Sequence, residues 1–230
     1  MRVPQPQIAA RWKRTMPSTS TAAPDGFRSF EIIMPRIERA GALPLDLSGL
    51  LPNRDHNESL LGLIERAPAC RMGERPLCAV FAADPFLNVE LLAERLRSKG
   101  CRDLVNLPSA SQYGSAFRSI LDSLKVGPNR EFRTLARFSA LSFAVSVAVA
   151  RVEDVAGALA LAPPRLFVVP SLDDWDGVSI NGGGLLALCR AVAERRDGLA
   201  PDVPICLSVE GSTISLDEAH AAGADGGILV

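Results

Sequence analysis

PLCAVFAADPFLNVELLAERLRSKGCRDLVNLP, residues 76–108, holds the pattern that decides the fold. Its first eight residues, PLCAVFAA (76–83), are an almost unbroken apolar run, as in a strand covered on both faces. NVELLAERLRSKG (88–100) follows with apolar residues at helical spacing and a glycine stop. DLVNLP (103–108) then returns as a second strand. A strand, a crossover helix and a strand make a parallel pair.

The same unit repeats outward. Upstream stand the strand FEIIM (30–34) and the helix ESLLGLIERA (58–67). Downstream, GSAFRSILDSL (114–124) and REFRTLARFSA (130–140) read as helices before the strand SFAVSVAVA (142–150). The helix VEDVAGALAL (152–161) precedes the strand RLFVVP (165–170), and the helix GGLLALCRAVAERRDG (183–198) precedes PICLSVEG (204–211). SLDEAHAAGAD (215–225) is a helix capped by Ser215, and GGILV (226–230) is a last strand.

Seven strands after Asp25 suit a closed sheet better than a small open one. The expected fold is an α/β TIM-type (β/α)8 barrel. Its first strand, sought around PQIAARW (6–12), is irregular, and the helix after the last strand is missing. Residues 1–26 are then a flexible arm or a degenerate first element, and 27–230 the barrel domain. The basic, Ser/Thr/Pro-rich start has the composition of a transit peptide, the alternative to a mobile arm. Exposed barrel edges invite pairing, which points to a homo-oligomer that covers the seam.

Composition excludes several classes. The chain has 230 residues, 47% hydrophobic and 22% charged, with formal net charge -1 and a single tyrosine, which argues against a nucleic-acid surface. Charge, Gly or Pro breaks every apolar run before the roughly 18 residues of a membrane helix. Five scattered cysteines, without a CxxC pair, read as reduced thiols of a cytoplasmic protein. Only His56 and His220 are present, and neither has a partner at triad spacing. His56 reads as a surface residue and His220 as structural.

Several strand ends together resemble the phosphoenolpyruvate hydrolase-like TIM-barrel family, of the pyruvate/phosphoenolpyruvate-binding superfamily. GLLPNRDHN (49–57) matches the family's GLLPYGDAN at Gly49, Leu50, Leu51, Pro52, Asp55 and Asn57. AADPF (82–86) matches GTDPF, and VNLPS (105–109) matches QNFPT at Asn106 and Pro108. The pair Phe117–Arg118 follows at the family's interval. The family's ETGMGY, HMGLTTGG and HGGP segments and its early glycine-rich segment have no close counterpart.

The resemblance implies an enzyme that cleaves or hydrolyses a small keto-acid or enol phosphate with Mg²⁺. Asp55 and Asp84, just past strand ends, are the expected metal ligands through waters and, with Glu210 as a general base, the catalytic set. Asn106, Arg118, Ser109, Asn57 and Gly183 are expected to bind the small anionic metabolite; Arg118 has the fork for it, and Gly183 lies in the NGGG helix start (181–184). Each residue also has a plain reading: Asp84 before Pro85 caps a turn, Arg118 pairs with Asp122 on its helix, and Asn106 satisfies loop backbone. The lost segments support a second expectation, a non-catalytic barrel that binds a ligand or a protein.

Overall fold

The computed structural model describes residues 8–14, 31–35, 47, 50, 55–66, 76–209 and 212–229. Seven strands pair side by side in chain order, all parallel: β2 (Glu31–Ile33), β3 (Leu77–Ala79), β4 (Asp103–Val105), β5 (Ala144–Val149), β6 (Leu166–Val168), β7 (Ile205–Ser208) and β8 (Gly226–Leu229). They form a curled α/β sheet. β1 (Ile8–Arg14) runs antiparallel along both β2 and β8, with a register shift between Ile8 and Ala10. The two edges at which a second copy was expected to pair therefore already hydrogen-bond to the chain's own strand.

Helices connect the strands: α1 (His56–Arg66), α2 (Val89–Ser98), α3 (Ser115–Ser123), α4 (Pro128–Ala140), α5 (Val155–Leu159), α6 (Gly182–Asp197) and α7 (Leu216–Ala221). Their ends carry the caps that the sequence offers. Asn88, Asn181 and Ser215 accept N–H groups of the first turns of α2, α6 and α7, and Ser215 forms a reciprocal capping box with Glu218.

Period-two alternation sorts the strand residues into two cores. One face sends Cys78, Leu104, Val147, Leu166 and Leu207 against Leu92, Leu135, Phe138 and Leu185 of the helices. The other gathers Leu77, Ala79, Val105, Ala148, Phe167 and Cys206, with Met34, Leu107, Ala150 and Val169 just past the strand ends. A strand buried on both sides needs the continuous apolar run that 76–83 shows. Each fully buried Leu or Phe contributes about 1.5–3 kcal/mol.

α3 is the exception. It forms where the sequence predicts a helix, yet no residue within it is buried.

Candidate functional site

The loops after parallel strands gather at one end of such a sheet, where sites lie. Asp55, Asn57, Asp84, Asn106, Ser109 and Arg118 stand at that rim, and the hydrogen bonds of each define what it does there.

At the start of α1, Asp55 Oδ1 accepts the Glu58 N–H at 2.9 Å, while its backbone carbonyl accepts the Ser59 hydroxyl at 2.7 Å. Asn57 is buried and pairs with the end of β3 as another strand would. Its Oδ1 accepts the Phe81 N–H at 3.0 Å and its Nδ2 donates to the Phe81 carbonyl at 3.1 Å. The same Nδ2 donates to Asp84 Oδ2 at 3.3 Å, and Asp84 Oδ1 accepts the Phe86 N–H at 2.8 Å. Two motifs far apart in sequence therefore meet through Asn57 and Asp84. Replacing Asn57 by Ala leaves the Phe81 N–H unpaired and its carbonyl with only the Asp84 N–H at 3.4 Å, and a loss of about 1–2 kcal/mol is expected in urea unfolding.

His56 corrects the surface reading. It is buried, and its Nε2 lies 3.0 Å from the Ala79 carbonyl, an acceptor only, so Nε2 carries the ring proton. Burial holds its pKa down at about 4, against partial opposition from that carbonyl and from Asp55. It is neutral at neutral pH.

After β4 the polar groups are denser. Asn106, wholly buried, accepts the Ala148 N–H at 2.7 Å and donates to the Ala148 carbonyl and to Ser109 Oγ, both at 3.1 Å. Ser109 Oγ also accepts the Ser111 N–H at 3.1 Å. With both acceptor positions used, its proton points to Glu131 Oε2, 2.7 Å away. Glu131 Oε1 accepts the Ala110 N–H at 3.2 Å.

Glu131 was not among the expected site residues. It lies on α4, fully buried, and burial pushes its carboxyl up to about 8 despite the donors from Ser109 and Ala110. A signal existed. Glu131, Leu135 and Phe138 fall at i, i+4 and i+7, so the helix that buries the two apolar residues must bury the acid as well.

A second buried carboxylate holds the other side of the 110–112 turn. Asp154 Oδ2 accepts the Ser111 hydroxyl at 2.7 Å, and Ser111 Oγ accepts the Ala150 N–H at 2.8 Å. Arg118 reaches the same carboxylate with both terminal nitrogens, at 2.7 and 2.6 Å, while its Nε lies 3.7 Å from Asp122. The predicted Asp122 pair exists, but the dominant partner is 36 residues away. Hydrogen bonding to Asp154 raises the already high guanidinium pKa.

Gln112 accepts the Ser109 N–H and donates to the Pro170 carbonyl, which ties β4 to β6. Beside it, Arg151 bonds Asp173 at 3.0 Å and the Tyr113 carbonyl at 3.2 Å. The Ser115 N–H, and then Arg151, hold the Asp173 carboxyl below the usual range.

Gly183 stands apart, exposed in the first turn of α6, where Asn181 Oδ1 takes the Gly184 N–H at 3.1 Å. Glu210 lies outside the described residues. Among the described residues no three His, Cys, Asp or Glu side chains come together as a metal-binding group, and no helix is long and apolar enough to cross a membrane. Cys78, Cys101, Cys189 and Cys206 are buried and in no disulfide.

No family model matches the chain. It is similar to the uncharacterized protein y4oT of Sinorhizobium fredii, 28% identical over 125 residues, which cover 54% of this chain and 63% of that protein. The similarity thus spans less than two thirds of the relative's length.

Proposed function

We propose that the chain is a non-catalytic barrel of phosphoenolpyruvate hydrolase-like descent, which serves as a binding module. In this reading β1 takes the place of the eighth stave of a TIM-type barrel, and the reduced cysteines suit a cytoplasmic location. One observation carries the functional part. The acids expected to hold Mg²⁺ are turned to N–H groups of their own chain, Asp55 at the start of α1 and Asp84 in the Phe86 turn, with Asn57 on its other oxygen.

The neighbouring groups support the same reading. Arg118 is engaged by Asp154, so the fork expected to hold a small anion already holds a carboxylate of the chain, and the neighbouring Arg151 is likewise engaged by Asp173. Asn106 and Ser109, expected to bind substrate, are fully buried within a hydrogen-bonded frame. The motif residues that carry the resemblance thus fix the rim loops.

An enzymatic reading rests on the contact between Asn57 and Asp84, which keeps two family motifs together. Asp55 and Asp84 would then hold Mg²⁺ through waters, and a small keto-acid or enol phosphate would be the substrate. Thermal unfolding with Mg²⁺ plus phosphoenolpyruvate or oxaloacetate separates the two. The binding-module reading predicts an unchanged midpoint. A ligand at about a hundredfold its dissociation constant would instead add about 2.7 kcal/mol, and a metal-dependent rise that Asp84→Asn abolishes would overturn the reading.

A further inference from the structure

The turn at 109–112 is held between two buried acids. Glu131 takes it from one side, through the Ser109 hydroxyl and the Ala110 N–H, and Asp154 from the other, through the Ser111 hydroxyl. Their surroundings differ in one respect. Asp154 has the fork of Arg118 across both its oxygens, whereas Glu131 forms an ion pair with no cation among the described residues.

The groups around Glu131 oppose a charge on it. From the segment before α5 comes the Asp154 carboxylate, and from the end of the turn the Tyr113 phenol, whose own ionisation Glu131 disfavours. α3 supplies Arg118, already shared between Asp154 and Asp122, and β4 is followed by the neutral amide of Asn106. On α4 itself, Arg130 is turned to the Pro85 carbonyl and Arg133 is exposed. A proton on Glu131 therefore lets two buried acids share one turn.

The packing decides where a charge there would be relieved. The turn runs through Tyr113 and Gly114 directly into α3, which has no buried residue. α3 is fixed instead by Arg118 on Asp154 and by its Ser115 N–H on Asp173. α4, by contrast, buries Leu135 and Phe138 along with the acid. Moving α4 to hydrate Glu131 would open the apolar core, whereas lifting the turn with α3 uncovers chiefly polar contacts.

We propose that residues 109–124, the turn together with α3, form a proton-operated latch. It is closed while Glu131 carries its proton and leaves the rim as one unit when Glu131 ionises, with the barrel still folded. The interval is mildly alkaline, since burial holds the carboxyl up at about 8. The latch stands whichever function the rim serves.

Hydrogen exchange read by mass spectrometry between about pH 6 and about pH 10 tests this on the full chain, with rates corrected for the base catalysis of free amides. Peptides within 109–124 are expected to lose protection about tenfold or more across the interval, while those of α2 and α6 keep theirs. Glu131→Gln, neutral at every pH, is expected to keep 109–124 protected throughout. If that variant does not fold, carbon-13 NMR of the wild type with labelled glutamate replaces it, and one carboxyl is expected to titrate at the midpoint of the exchange change. Protection that is independent of pH, that falls equally in Glu131→Gln, or that falls in all helices together overturns the proposal. So does a wild type in which no glutamate carboxyl titrates at that midpoint.

Discussion

Replacing Asp154 by Ala is expected to remove about 3–5 kcal/mol of stability, the usual cost of stranding one partner of a buried ion pair. The carboxylate is 6% exposed and its arginine 17%. Its loss leaves the Arg118 guanidinium with only the longer contact to Asp122, and frees the Ser111 hydroxyl. α3 has no buried residue of its own to hold it, so this helix should loosen first.

The geometry predicts a further asymmetry. Removing both charges, with Arg118→Met and Asp154→Leu together, should cost less than Asp154→Ala alone, because no uncompensated charge remains inside. Urea unfolding of the two single variants and the double variant measures the coupling. A double variant as unstable as the sum of the singles would contradict a dominant Arg118–Asp154 pair.

The second large effect is a fall in stability between pH 6.5 and about 8. Glu131 has its carboxyl raised from 4.5 to about 8, so across that interval the native chain holds a proton that the unfolded chain has released. Its contribution is complete below about 4.5 and is lost as pH rises through about 8. His56 acts oppositely. Its pKa is lowered from 6.5 to about 4, so its contribution is complete above 6.5 and is lost as pH falls toward 4.

Between 4.5 and 6.5 the two slopes oppose each other, and above 6.5 only that of Glu131 remains. The expected slope there approaches about 1.4 kcal/mol per pH unit at most. The lowered carboxyls of Asp173, Asp176 and Glu218 start from 3.8 to 4.5 in the unfolded chain and act only in acid. Glu131→Gln should flatten the alkaline decline and expose the acid-side loss from His56. An undiminished decline in Glu131→Gln would place the titrating group elsewhere.

The strands and helices were legible because each obeys one period: apolar runs where both faces are covered, and apolar spacing of three and four where one face is. That logic found β3, α2 and β4 within 76–108. It could not give the direction of β1, which depends on the two strands it meets and not on its own pattern. Nor could it give the burial of His56, whose nearest cue was a polar run, while the acceptor that buries it is Ala79, 23 residues on.

The candidate site was legible as positions but not as roles. Asp55, Asn57, Asp84, Asn106, Ser109 and Arg118 do sit at one rim. What they do there depends on partners that only the fold brings close, such as Asp154 for Arg118 and Ala148 for Asn106. Glu131 was hidden by its type. An acid in a charged helix reads as solvated unless its register with Leu135 and Phe138 is followed.

On the proposed binding-module reading, these rim residues hold loops and do not turn over substrate. Its most direct test is pyruvate release from phosphoenolpyruvate or oxaloacetate, followed with the purified chain and Mg²⁺. The expected result is release no faster than in buffer with Mg²⁺ alone. Mg²⁺-dependent release by the wild type that disappears in Asp84→Asn, with that variant still folded, would contradict it.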